Sequence, residues 1–134
     1  MPTFRFNKLV RDNFRPIYDK LGQTIRTREL STDQLKDEIR RKIIEEAKEL
    51  PINSVSTEEM AGELADIQQA LDDLADKCGV SSEQITKKKA AKFAEKGGFS
   101  EGLFVETITL DDNDKWVQYY RNEPEKYPEI EEEL

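Results

Sequence analysis

The sequence predicts an all-α fold, a helical bundle built on an antiparallel helix hairpin with a Lys-rich third helix and a small C-terminal β-hairpin. Three observations carry this. Charged residues make up 37% of the 134 residues and aromatics only 8%, a balance that favours a helix-rich protein over a β-sandwich. Three capping-box patterns, Ser31-x-x-Gln34, Ser56-x-x-Glu59 and Ser81-x-x-Gln84, each place a hydroxyl at a helix start with a reciprocal partner three residues later. Between these starts and Pro51, Gly79 and Gly97 respectively, apolar residues recur at the helical period.

The first helix is expected from about residue 32 to Leu50, ending before Pro51, which cannot continue it. The second runs from about 57 to Lys77 and stops at Cys78-Gly79, and the third from about 82 to Lys96 before Gly97-Gly98. The connection through residues 52–55 is short, which makes the first two helices antiparallel neighbours. Upstream, a short helix is expected near residues 15–21 and a small strand at 24–29. Downstream, the β-branched stretch 103–110, the turn DDND and the aromatic stretch 115–120 predict the hairpin. Residues 1–110 form the helical domain on this reading, and residues 111–134 add a hairpin strand and an acidic tail.

Composition limits the chemistry. With no His and a single Cys78, zinc centres, thiol triads and Ser-His-Asp arrangements are excluded, no internal disulfide forms, and a reducing cytoplasmic setting is expected. No stretch is apolar enough to lead a chain out of the cell or to cross a membrane. The net charge of −8 argues against polymeric nucleic acid as a partner. It hides an asymmetry, since residues 1–42 carry 11 Lys and Arg against 6 Asp and Glu, and residues 43–134 carry 10 against 23. Part of that acidic excess lies in the closing EIEEEL, which reads as a solvated tail.

The acids of the first two helices are placed differently. With Ile39 at zero and 100° per residue, Leu35, Ile43, Ala47 and Leu50 define an apolar stripe between about −40° and +80°. Glu46 falls inside it at about −20°, with Glu49 and Glu45 along one margin at about −80° and −120°. On the second helix, with Met60 at zero, Leu64, Ile67, Leu71 and Leu74 lie between about −40° and +40°, Glu63 at about −60° and Asp66 at about −120°. Packing the two stripes together brings an E-x-x-E pair against an E-x-x-D pair. Carboxylates so placed are costly unless paired or neutralised. Lys8, Arg11 or Arg28 could serve as counter-ions. A hard divalent cation such as Mg²⁺, held by carboxylates, water and substrate phosphates, accounts for all of them at once.

The third helix supplies positive charge, because Lys88, Lys92 and Lys96 recur at i, i+4 and i+8 with Lys89 beside them. Like charges at this spacing destabilise an isolated helix. The stripe reads either as a solvated face or as one that meets an anion such as a polyphosphate.

Glu45-Glu46-x-x-Glu49 followed by Glu63-Leu64-x-Asp66 resembles the acid motif of the all-α nucleoside triphosphate pyrophosphatases, the MazG and phosphoribosyl-ATP pyrophosphohydrolase group. NKLVRD at residues 7–12 and K-x-x-x-K-x-x-x-K-G-G-F at 88–99 resemble the small MazG-like subgroup more closely. The resemblance spans roughly residues 5–105. It implies a helical protein, a homodimer or homotetramer, that binds Mg²⁺ or Mn²⁺ and cleaves a nucleoside triphosphate to monophosphate and pyrophosphate, with house-cleaning of the nucleotide pool as its use. The metal ligands it implies are Glu46, Glu49, Glu63 and Asp66. Catalytic roles fall to Glu45 and Glu46, Glu45 either holding a second metal or orienting the attacking water. Lys8, Arg11, Lys88, Lys92 and Lys96 are the candidates for substrate phosphate contacts.

Two other readings compete. One keeps the chemistry and changes the substrate to a phosphoribosyl-nucleotide of histidine synthesis, from which the NKLVRD opening leans away. The other is a non-enzymatic helical interaction module whose acidic stripe docks a basic partner helix.

Overall fold

The computed structural model describes residues 1–53 and 55–131. The chain divides into two compact units, Met1–Glu95 and Lys96–Leu134. The first contains α1 (Phe14–Lys20), α2 (Thr32–Lys48), α3 (Thr57–Lys77) and all but the last residue of α4 (Ser82–Lys96), and the second contains α5 (Trp116–Arg121). The fold is helical as expected, and among the described residues no strand is present. No described helix is long and apolar enough to cross a membrane.

The serines begin the helices as their spacing predicts. Gln34 N–H donates to Ser31 Oγ at 3.2 Å while Ser31 N–H donates to Gln34 Oε1 at 3.1 Å, a complete capping box. Ser81 and Gln84 form the same reciprocal pair ahead of α4, at 3.1 and 2.9 Å. Ahead of α3 only half forms, with Glu59 N–H donating to Ser56 Oγ at 3.1 Å. The end of α3 is set by Gly79, whose φ of +72° lies in the left-handed region. Its N–H donates to Asp76 O at 3.1 Å and Val80 N–H donates to Ala75 O at 2.8 Å, so two carbonyls at the helix end find partners.

In the first unit, α2 and α3 form the one extensive helix pair among the described residues. They fold back as a hairpin, so that the end of α2 meets the early part of α3. Ile39 is the only buried side chain described, at 4% exposure. Leu35, Ile43, Leu50, Met60, Ile67, Ala70 and Leu74 are half-buried around it, whereas Ala47, Leu64 and Leu71, which the wheels place in the same stripes, are exposed. The expected connection between the helices includes Ser54, which lies outside the described residues.

The two β predictions are corrected. Residues 24–29 are irregular and, apart from half-buried Ile25, exposed, with Arg15 donating to Thr27 Oγ1. The C-terminal hairpin does not form. Residues 103–110 make no backbone pairing among the described residues, and a β-prone stretch without a neighbouring strand has nowhere to place its amides.

Residues expected as the second strand instead form α5. Trp116, Tyr119 and Tyr120 stand at i, i+3 and i+4, a spacing that puts all three on one helical face and would split them across a strand. There Trp116 meets Tyr119 edge-on at 5.3 Å and Tyr120 meets Tyr127 at 4.9 Å, arrangements that favour aromatic contact. DDND closes a turn into the helix, with Asp114 N–H donating to Asp111 O at 2.9 Å and Trp116 N–H donating to Asp114 Oδ1 at 2.8 Å. Arg121 pairs with Glu129 at 2.6 Å, which holds the guanidinium above its ordinary pKa. Of the acidic tail, residues 132–134 lie outside the described residues.

Candidate metal centre

The acids predicted on two helices come together. Carboxylate oxygens of Glu46, from α2, and of Glu63 and Asp66, from α3, lie within 4.8 Å of one another. Glu45, Glu46 and Glu49 form a second group of the same span, and Glu46 belongs to both. The Glu46 side chain is the most enclosed of the paired acids, 14% exposed against 33% for Glu45 and 45% for Asp66. That order follows from the wheel of α2, on which Glu46 lies inside the apolar stripe and Glu45 on its margin.

Cations reach some of these acids. Lys8 lies 3.5 Å from Glu45, and Arg11 donates to Asp66 at 2.6 Å. The NKLVRD segment thus lies along the acids, as the pairing of Glu46 and Glu63 with nearby cations would have it in part, though Glu45 and Asp66 are the partners here. Asn7 takes a φ of +48° immediately before Lys8, a left-handed conformation that Asn tolerates better than most residues. Lys42 was not singled out by sequence reasoning, yet its ammonium lies 3.4 Å from Glu46 and 3.8 Å from Glu45. Its signal was the K-x-x-E-E spacing, one helical turn along the same face.

Among the described residues, neither Glu49 nor Glu63 pairs with a cation, and Arg28 pairs with no acid. Five carboxylates, Glu45, Glu46, Glu49, Glu63 and Asp66, therefore face three cations, Lys8, Arg11 and Lys42, a formal excess of two negative charges. The donor set is all hard oxygen, which suits Mg²⁺ or Mn²⁺. Ligands on opposite sides of Mg²⁺ stand about 4.2 Å apart, so the 4.8 Å span of these oxygens needs little adjustment to hold such an ion.

The lysines of α4 stand apart from this group. Lys88 and Lys92 line a shallow depression with Val80, Gln84, Ile85 and Lys89 and form no ion pair among the described residues. Lys96 ends α4 and begins the second unit. In the first unit the chain brings together the acids, Lys8 and Arg11, and leaves Lys88 and Lys92 on an exposed helix face. No protein-family model, curated protein or solved structure matches the chain, and the resemblance noted above rests on its motifs alone.

Proposed function

We propose that this chain is a metal-dependent nucleoside triphosphate pyrophosphohydrolase of the cytoplasm, acting on the nucleotide pool and assembling as a homodimer or homotetramer. One observation carries the reading, the convergence of Glu46, Glu63 and Asp66 from two helices within 4.8 Å, with Lys8 and Arg11 at its edge. The motif order of NKLVRD, the two acid pairs and K-G-G-F supports it. An interaction module has no need for acids of two helices to share one point.

On this reading Glu46, Glu49, Glu63 and Asp66 hold Mg²⁺ or Mn²⁺. When bound, the ion supplies neutralisation of phosphate charge and a water of lowered pKa. Glu45, one residue from the most enclosed ligand, orients the attacking water and takes its proton. Lys8 and Arg11 bind the triphosphate oxygens, stabilising charge on the departing pyrophosphate. Lys88 and Lys92, on the exposed face of α4, and Lys96, in the second unit, are further phosphate contacts only as the motif resemblance implies them. No covalent intermediate on the protein is needed, consistent with a chain that lacks an activated nucleophile.

The test is pyrophosphate release from a panel of nucleoside triphosphates, with phosphoribosyl-ATP included, in the presence and absence of Mg²⁺. Metal-dependent release lost in Glu46→Gln and Glu63→Gln is the expected result. No metal-dependent turnover on any member, together with variants more stable than the parent, would leave the interaction module as the better account.

A further inference from the structure

Glu46 is the acid on which the candidate centre turns, since it belongs to both acid groups and its side chain is only 14% exposed. Among the described residues one cation reaches it, the ammonium of Lys42 at 3.4 Å. The other two cations of the site have other partners, Lys8 on Glu45 and Arg11 on Asp66, and both arrive from the irregular segment ahead of α1. Lys42 stands on α2 itself, at about −60° on its wheel, between Glu46 at about −20° and Glu45 at about −120°.

The same ammonium lies 3.8 Å from Glu45, so the acids three and four residues along the helix share it. Its flexible four-carbon stem carries it from one carboxylate to the other by side-chain rotation alone, with no movement of the backbone. A half-enclosed carboxylate in an apolar stripe needs a positive partner, and Lys42 is that partner for Glu46. A divalent cation offers the same carboxylate twice the charge. Two cations held close on one carboxylate repel each other, so an ion that takes Glu46 drives the ammonium off it.

We propose that Lys42 is a positioning residue, a tethered counter-ion that keeps Glu46 paired until a divalent cation replaces it, whereupon the ammonium stays on Glu45. The exchange is purely ionic and breaks no covalent bond. It lets α2 carry an inward acid without metal, and it lowers the affinity of the centre for the ion, which displaces one positive charge and then stands near it. This rests on the metal-binding part of the proposed function and extends it to a residue outside the acid motif.

Calorimetric titration of Lys42→Met with Mn²⁺ is expected to give binding about ten-fold tighter than wild type, with Lys42→Arg, which keeps the charge, staying near the wild-type value. The metal-free thermal midpoint of Lys42→Met is expected to fall, because Glu46 loses its partner. An ion pair with a structural duty alone would lower the midpoint and leave the affinity as it was. Should Lys42→Met fail to fold, a crystal structure of the wild-type chain grown with Mn²⁺ reads the exchange directly, with the Lys42 ammonium expected out of ion-pair reach of Glu46 and within reach of Glu45. Binding by Lys42→Met equal to or weaker than wild type, or an ion-loaded structure with Lys42 still on Glu46, overturns the proposal and leaves the metal reading standing. Absence of Mn²⁺ binding in wild type and variant alike overturns both.

Discussion

The Arg11 guanidinium donates to Asp66 Oδ1 at 2.6 Å, joining positions 55 residues apart. It is a tertiary link between the NKLVRD segment and the acid pair of α3. Because both side chains are about half exposed, the link contributes at most about 1 kcal/mol to stability. Arg11→Met is expected to leave the thermal midpoint nearly unchanged while raising KM for the triphosphate about ten-fold, the loss of one charge-assisted contact. A large drop in midpoint with KM unchanged would make Arg11 a structural tie only.

Glu63 and Asp66 should respond differently to neutralisation although they share the same group. Glu63→Gln removes a carboxylate that has no cation partner among the described residues, so metal-free stability is expected to hold or rise, while affinity for Mn²⁺ falls about 100-fold. Asp66→Asn also releases Arg11, and is expected to lower stability as well as affinity. Calorimetric titration with Mn²⁺ beside urea unfolding without metal separates the two.

Ser31 and Ser81 each anchor a complete capping box. Ser31→Ala is expected to destabilise the chain by about 1 kcal/mol, within the usual range for a lost cap, read as a lower urea midpoint. Ser81→Ala should raise amide exchange over the first turn of α4 before it changes the global midpoint, because α4 has little packing to hold that turn. Equal exchange in both proteins would show that the cap is not what starts the helix.

Tyr127 contacts both Tyr119, at 6.3 Å, and Tyr120, at 4.9 Å. Tyr127→Ala is expected to cost about 1–3 kcal/mol within the second unit, the sum of two aromatic contacts at about 0.5–1.5 kcal/mol each. Near-UV circular dichroism should lose amplitude while Mn²⁺ affinity stays constant. A parallel fall in affinity would place this aromatic group in the binding machinery.

The boundaries of α2, α3 and α4 were legible because local chemistry fixes them, Ser with Gln or Glu at the start and Pro or Gly just past the end. The convergence of Glu46 with Glu63 was legible too, since both wheels place an acid within or beside the stripe that must pack. The C-terminal hairpin was misread for a physical reason. W-x-x-Y-Y satisfies helical spacing as well as β-propensity, and a strand requires a partner that no local pattern supplies. Lys42 was legible in principle from the K-x-x-E-E spacing, which sets its ammonium against Glu45 and Glu46 one turn along the helix. The direction in which the lysines of α4 point is, by contrast, a tertiary matter.

Ile39 is the sole buried side chain among the described residues, a core small enough that anything covering more of the hairpin's apolar surface would add to its stability. Were the homo-oligomer of the proposed function to cover that surface, the melting temperature would rise with the logarithm of the protein's own concentration.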